Sequence, residues 1–219
     1  MGTRVFGDGT AAHRHARPPI PIVLEHLSRQ GGYAVPWISL RHRDGTAILG
    51  VVDHDRVRTA LVDRWCQTCG RPLRDRIVVL ARHQDFAFGW VSEPGMHPEC
   101  AFYSTSSCPM LTGVLPRHRS HAPAAMREPC GNPLCDCRAW GPPDDFPGRA
   151  EQPAERWFAI WLDPAGYRID TDPVTGRPAV SLAGIRPLTI RPLPATGATA
   201  DEARTLKAGF ASLAFLAGL

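Results

Sequence analysis

Lysine is almost missing from this chain: Lys207 is the one lysine among 25 basic residues in 219. Arginine codons replace lysine codons in GC-rich genomes, so a high arginine content alone does not mark a nucleic-acid protein. Only three tyrosines are present, which leaves little material for the stacked aromatic platforms that grip single strands. No apolar run approaches the ~18 residues needed to span a bilayer, and the amino terminus has no apolar core of signal-peptide length. A cytoplasmic protein with no membrane contact is therefore expected. The nucleophile elbow, the phosphate-binding glycine loop, the dinucleotide fingerprint and His-Glu-x-x-His are all missing, which removes the local signatures of the common hydrolases, NTPases, dehydrogenases and zinc proteases. The charge is modest at +4. Residues 1–128 hold 16 basic against 11 acidic side chains and residues 129–219 hold 9 against 10, too small an excess to require nucleic acid. Seven cysteines is an odd number, which favours metal ligation in a reducing compartment over a disulfide framework.

What the chain does have is a stretch from Cys66 to Cys108 that opens with WCQTCGRPL and closes with EPGMHPECAFYSTSSCPML. Cys-x-x-Cys followed by Gly70 lets the backbone curl round an ion. His97 and Cys100, three apart at the expected start of a helix, have Cβ atoms within about 5–6 Å and can share one ion. Cys66, Cys69, His97 and Cys100 are thus expected to form one tetrahedral zinc site. The alternatives are a redox dithiol or small buried thiols. Residues 76–82 and 86–91 read as two strands round His83-Gln84-Asp85, a hairpin, so knuckle, hairpin and helix together describe a treble clef. Thiolates also suit iron and copper, so zinc is the expectation and iron the alternative. An unbroken helix would separate Cys100 from Cys108 by ~12 Å of rise, too far to bind one ion.

The motifs GGYAVPW, CQTCGRPL, EPGMHPECA and CPML resemble a family of small, functionally uncharacterised bacterial proteins with a Cys-x-x-Cys-Gly, His-x-x-Cys-Ala and Cys-Pro-x-Leu core. The likeness covers residues 20–112, with a weaker echo in RWFAIWL and the final helix. It implies the outline of a fold and no activity. The Cys- and Pro-rich insertion departs from that pattern.

Four segments organise the rest. Residues 1–19 read as a mobile arm, in which Arg14 and Arg17 flank His13 and His15. Residues 20–112 form the zinc-stabilised α+β core. It starts with a short helix from Ile20 bearing Ile22, Val23, His26 and Leu27 on one face, continues through a hairpin flanking Arg43-Asp44-Gly45, and reaches a helix over 54–65 capped by Asp53 or Asp55. Residues 113–153 are an irregular insertion, and a loop of such length is functional or disordered. Its Cys130, Cys135 and Cys137, joined by Cys108, His118 or His121, are the material for a second metal site. Residues 154–219 complete the same domain with short strands and a C-terminal helix. That helix starts at a Thr199/Glu202 capping box and carries Leu206, Phe210, Leu213 and Ala217. The predicted fold class is α+β, a treble-clef-like core packed with short antiparallel strands.

Two functions compete. The first is a binding module that offers Arg41, Arg43, Arg56 and Arg58, with Arg117 and Arg119, to a protein or a nucleic acid. The second is a metal-dependent enzyme using Glu99 as proton carrier or Cys108 as spare thiol, which requires an open coordination position.

Overall fold

The computed structural model describes residues 17–121, 130–141 and 146–216, so most of the arm over 1–19 lies outside the described residues. The strands are β1 (Arg29–Gln30), β2 (Tyr33–Ala34), β3 (Ser39–Arg41), β4 (Ala47–Val52), β5 (Ile77–Arg82), β6 (Trp90–Val91), β7 (Trp157–Leu162), β8 (Ile169–Thr171), β9 (Pro178–Ser181) and β10 (Thr189–Pro192). The helices are α1 (His54–Val62), α2 (His83–Phe88), α3 (Pro98–Ser107), α4 (Phe146–Arg149) and α5 (Ala200–Leu216). The architecture is α+β. All strand pairs are antiparallel: β10-β7-β5 and β6-β9-β8 form three-stranded sheets, and β1-β2 and β3-β4 form two-stranded ones. Among the described residues no helix is long and apolar enough to cross a membrane.

The sequences IVVLA and WFAIWL read as unbroken apolar runs because β5 and β7 are buried on both faces. Ile77, Val79, Phe158, Ile160 and Leu162 are fully enclosed. On one face Phe86 of α2 meets Phe158 edge-on at 5.7 Å and Phe210 of α5 at 6.1 Å. The start of α5 carries the reciprocal cap read from the sequence: Thr199 N donates to Glu202 Oε2 and Glu202 N to Thr199 Oγ1, at 2.8 and 3.2 Å. Leu206 and Phe210 pack on the core. The side chain of Leu213 and the whole of Ala217 lie outside the described residues. Because β5 pairs with β7 in register from Ile77↔Leu162 to Arg82↔Trp157, the tail and the Cys66–Cys108 stretch share one sheet.

Two sequence expectations are corrected. The chain after β5 does not turn back as a hairpin over 76–91; it enters α2. The Asp85 carboxylate, almost wholly buried, accepts from Arg82 N at 2.7 Å and from the Arg82 guanidinium at 2.8 Å. That local cap starts a helix where hydropathy alone suggests a strand. Gly89, at φ 83°, ends the helix in the left-handed region, and β6 then pairs with β9 rather than with β5. The helix expected from Ile20 shrinks to a 3-10 turn over Ile22–Leu24, with Ile22 79% exposed and Leu24 buried. Gly31 and Gly32, both at positive φ, make the two-residue turn of the β1–β2 hairpin instead of stopping a helix.

Phe158→Ala removes the ring on which α2 and the sheet close. We expect it to lower unfolding free energy by about 3–5 kcal/mol, read from denaturant titration at constant metal content.

Candidate metal centres

The first cluster is assembled by three backbone devices. The chain from Trp65 to Pro72 curls into a knuckle closed by a bridge between those two residues, with Cys66 N donating to Arg71 O and Gly70 N to Cys66 O, both at 2.8 Å. Gly70 sits at φ +68°, and a Cβ there would meet the Trp37 ring at 2.5 Å, so both the turn and the packing demand glycine. The other two ligands stand at the start of α3, where His97 is the N-cap and Pro98 opens the helix. Val78 and Met96 exchange backbone hydrogen bonds at 2.8 Å each way, which brings the chain back beside the knuckle one residue before His97.

Cys66, Cys69, His97 and Cys100 then offer ligand atoms all within 4.8 Å of one another. His97 Nδ1 lies 3.4 Å from Cys69 Sγ and 4.0 Å from Cys100 Sγ. A tetrahedral ion bonded at about 2.3 Å to sulfur and 2.0 Å to nitrogen sets a sulfur–nitrogen separation of about 3.5 Å. His97 Nε2 faces Pro72 O at 3.2 Å, which orients the ring so that Nδ1 points at the sulfurs. The three cysteines are buried and His97 is half-buried. Three thiols and an imidazole this close share their charge unequally. Hydrogen bonds with Cys100 and then Cys66 hold the Cys69 thiol far below its usual range, while those with Cys66 and then Cys69 push Cys100 far above it. Hydrogen bonds to Cys66 and Cys69 raise His97 to about 10.

The second cluster joins His42, Cys130, Cys135 and Cys137, again with ligand atoms within 4.8 Å. His42 lies in the turn between β3 and β4, where its amide donates to Thr46 O and its carbonyl accepts from Gly45 N. Residues 130–141 form a clasp that reaches this turn, and a 3-10 turn over Asp136–Ala139 follows the extended Cys135. Cys135 Sγ is 3.7 Å from His42 Nδ1, and Cys137 Sγ is 3.6 Å from Cys130 Sγ. The amides of Arg43 and Cys130 donate to Cys135 Sγ and Cys137 Sγ, each at 3.4 Å. The Arg43 amide, then that of Cys137, then the His42 ring lower the Cys135 thiol to about 6. Trp140 packs on His42 at 5.0 Å, and Arg43 donates to Leu134 O at 3.2 Å.

This membership differs from the sequence expectation for the fourth ligand. Cys108 is the C-cap of α3, its amide bonded to Ser104 O at 2.9 Å, and it takes no part in either cluster. His118 is held by Glu155 at 2.8 Å and His121 by Ser120 at 2.7 Å. No cysteine lies at a metal-binding interval from His42 in sequence, the nearest being Cys66. Only the fold brings it to the cysteines.

The arginines nominated for a partner are largely spent on the chain itself. Arg41 donates to Ser28 Oγ at 2.8 Å and to Pro36 O and Gly45 O at 3.4 Å. Arg56 donates to Trp37 O at 2.8 Å and lies over the Trp37 ring, while Arg58 is exposed. Asp53 caps α1 through the amides of Asp55 and Arg56, at 3.0 and 3.2 Å. Beside the clasp runs an open cleft of about 600 Å³, bordered by Arg41, Arg43, Asp53, Asp55, Asp136 and Trp140.

Fold and geometry together define an α+β chain with two Cys3His clusters, each able to hold a metal ion. No family model, curated protein or solved structure matches it.

His42→Ala should lower the metal content of purified protein by one ion per chain, whereas Cys108→Ala should leave it unchanged. Elemental analysis against protein concentration checks both. An unchanged metal content in His42→Ala would remove His42 from the cluster, and a loss in Cys108→Ala would bring Cys108 into it.

Proposed function

We propose that the chain is a zinc-stabilised binding module in which two zinc ions hold the fold together and neither performs chemistry. The observation that carries this reading is the ligand count: each cluster supplies four protein groups, and a four-ligand shell leaves no position for water or substrate. The first cluster keeps the ligand logic of a treble clef, a knuckle supplying two ligands and a helix N-terminus supplying two, although β5, α2 and β6 replace the hairpin between them. Membership of the bacterial family with the Cys-x-x-Cys-Gly and His-x-x-Cys-Ala core is part of the same proposal, as is a cytoplasmic setting that keeps the thiols reduced.

The partner is a protein rather than a nucleic acid. The cleft beside the second cluster mixes Arg41 and Arg43 with Asp53, Asp55 and Asp136, so it does not present the one-signed field that phosphates select. Its neighbourhood also exposes apolar surface at Val52 and Leu134, as a protein-docking rim does.

X-ray absorption on anaerobically purified protein should show two zinc ions per chain in three-sulfur, one-nitrogen shells. An oxygen ligand at either ion would overturn the non-catalytic reading. Single- and double-stranded DNA and RNA should show no binding at low salt; salt-dependent retention, weakened by Arg41→Ala/Arg43→Ala, would replace the protein partner by a nucleic acid.

A further inference from the structure

The two clusters offer the same ligand set but not the same access to solvent. In the first, Cys66, Cys69 and Cys100 are at most 2% exposed, enclosed by the knuckle, β5 and α3. In the second, Cys130 is exposed, the one ligand of the eight in that class. Its Sγ stands 3.6 Å from Cys137 Sγ, and the Cys130 amide is bonded to that same sulfur. Gly131, at φ +79° with open space where a Cβ would be, turns the chain between them. Oxidation of cysteine requires an accessible thiolate, and a disulfide requires a second sulfur already beside it. Cys130 and Cys137 meet both conditions, and metal ligation keeps both sulfurs deprotonated.

We propose that Cys130 and Cys137 form a hydroperoxide-sensitive pair whose oxidation ejects the second metal ion. The inference rests on reading that cluster as a metal centre. The Cys130 thiolate attacks one oxygen of the hydroperoxide, breaking the O–O bond and leaving a sulfenic acid and hydroxide or alkoxide. The Cys137 thiolate then attacks the Cys130 sulfur, forms the S–S bond and displaces a second hydroxide. Two thiolates lose two electrons, the peroxide gains them, and solvent protonates the released bases. The ion keeps its 2+ charge and leaves, because His42 and Cys135 alone remain as ligands. The clasp is then joined to the β3–β4 turn by weaker contacts, including the Arg43–Leu134 hydrogen bond and the His42–Trp140 packing. The cleft that it borders loses a fixed wall.

The test uses full-length protein as purified, with zinc counted first. Hydrogen peroxide is added in small excess, released zinc is followed with a chromophoric chelator, and disulfides are mapped by alkylation and mass spectrometry. The expected result is loss of one of two ions, a Cys130–Cys137 link, and recovery of the second ion after a dithiol reductant and zinc are supplied. Two ions at the start with no release, release of both together, or a link through Cys135 would overturn the redox pair while leaving two metal centres standing. A single ion at the start would overturn the second centre, and the redox pair with it.

Discussion

The reciprocal backbone pair between Val78 and Met96 is the contact on which the first centre depends. Cys69 and His97 are joined by a chain that leaves through β5, forms α2, contributes β6 to the second sheet and returns. Without an anchor on return, His97 and Cys100 would have no fixed distance from the knuckle. The bond pair puts Met96 on the free edge of β5, whose other edge is held by β7. Gly95 adds to the anchor by accepting Gln67 N at 3.1 Å and donating to the buried Tyr167 hydroxyl at 3.0 Å. A Cβ on Gly95 would approach Ile77 to 2.6 Å, so the return strand lies as close to the sheet as a backbone can. The apolar sheet therefore positions the four side chains, whose ligand atoms stand within 4.8 Å of one another.

The second centre is tied to the first by a very short path. Trp37 N and Ile38 N donate to Thr68 O and Gln67 O, at 2.8 and 3.2 Å, so the segment entering β3 is pinned to the knuckle. A few residues later the same hairpin presents His42. The insertion is closed at its base as well, where His118 N donates to Gln152 O and Ala154 N to Pro116 O, with His118, Glu155 and Arg149 packed across it. The described residues 130–141 thereby reach a distant turn, where Cys130, Cys135 and Cys137 meet His42. The difference in burial between the centres follows: one is inside the sheet packing, the other at the seam between a loop and a hairpin.

Local patterns carried much of this outline. Cys-x-x-Cys-Gly, His-Pro-x-Cys, the Asp53 cap, the Asp-Gly hairpin and the Thr199/Glu202 box each state their conformation within a few residues, because the atoms that decide it are neighbours along the chain. Cys130, Cys135 and Cys137 were legible as ligands by type. The strand-to-helix change after Arg82 was not, since the outcome rests on the Asp85 carboxylate being buried against Arg82, and FAFGWV on its own has strand composition.

What the amino-acid order determined by itself was therefore the α+β class, the knuckle-plus-helix pairing of Cys66, Cys69, His97 and Cys100, and the arginine-rich, lysine-poor surface chemistry. Only the tertiary structure decided that His42 stands with the three insertion cysteines, that Cys108 caps a helix, and that the arginines of the β3–β4 hairpin fold back onto carbonyls. The reason is separation along the chain. A ligand pair three residues apart is set by one turn of backbone, whereas His42 and Cys135 meet only after the sheet, the knuckle and the closed base of the insertion have each taken their place.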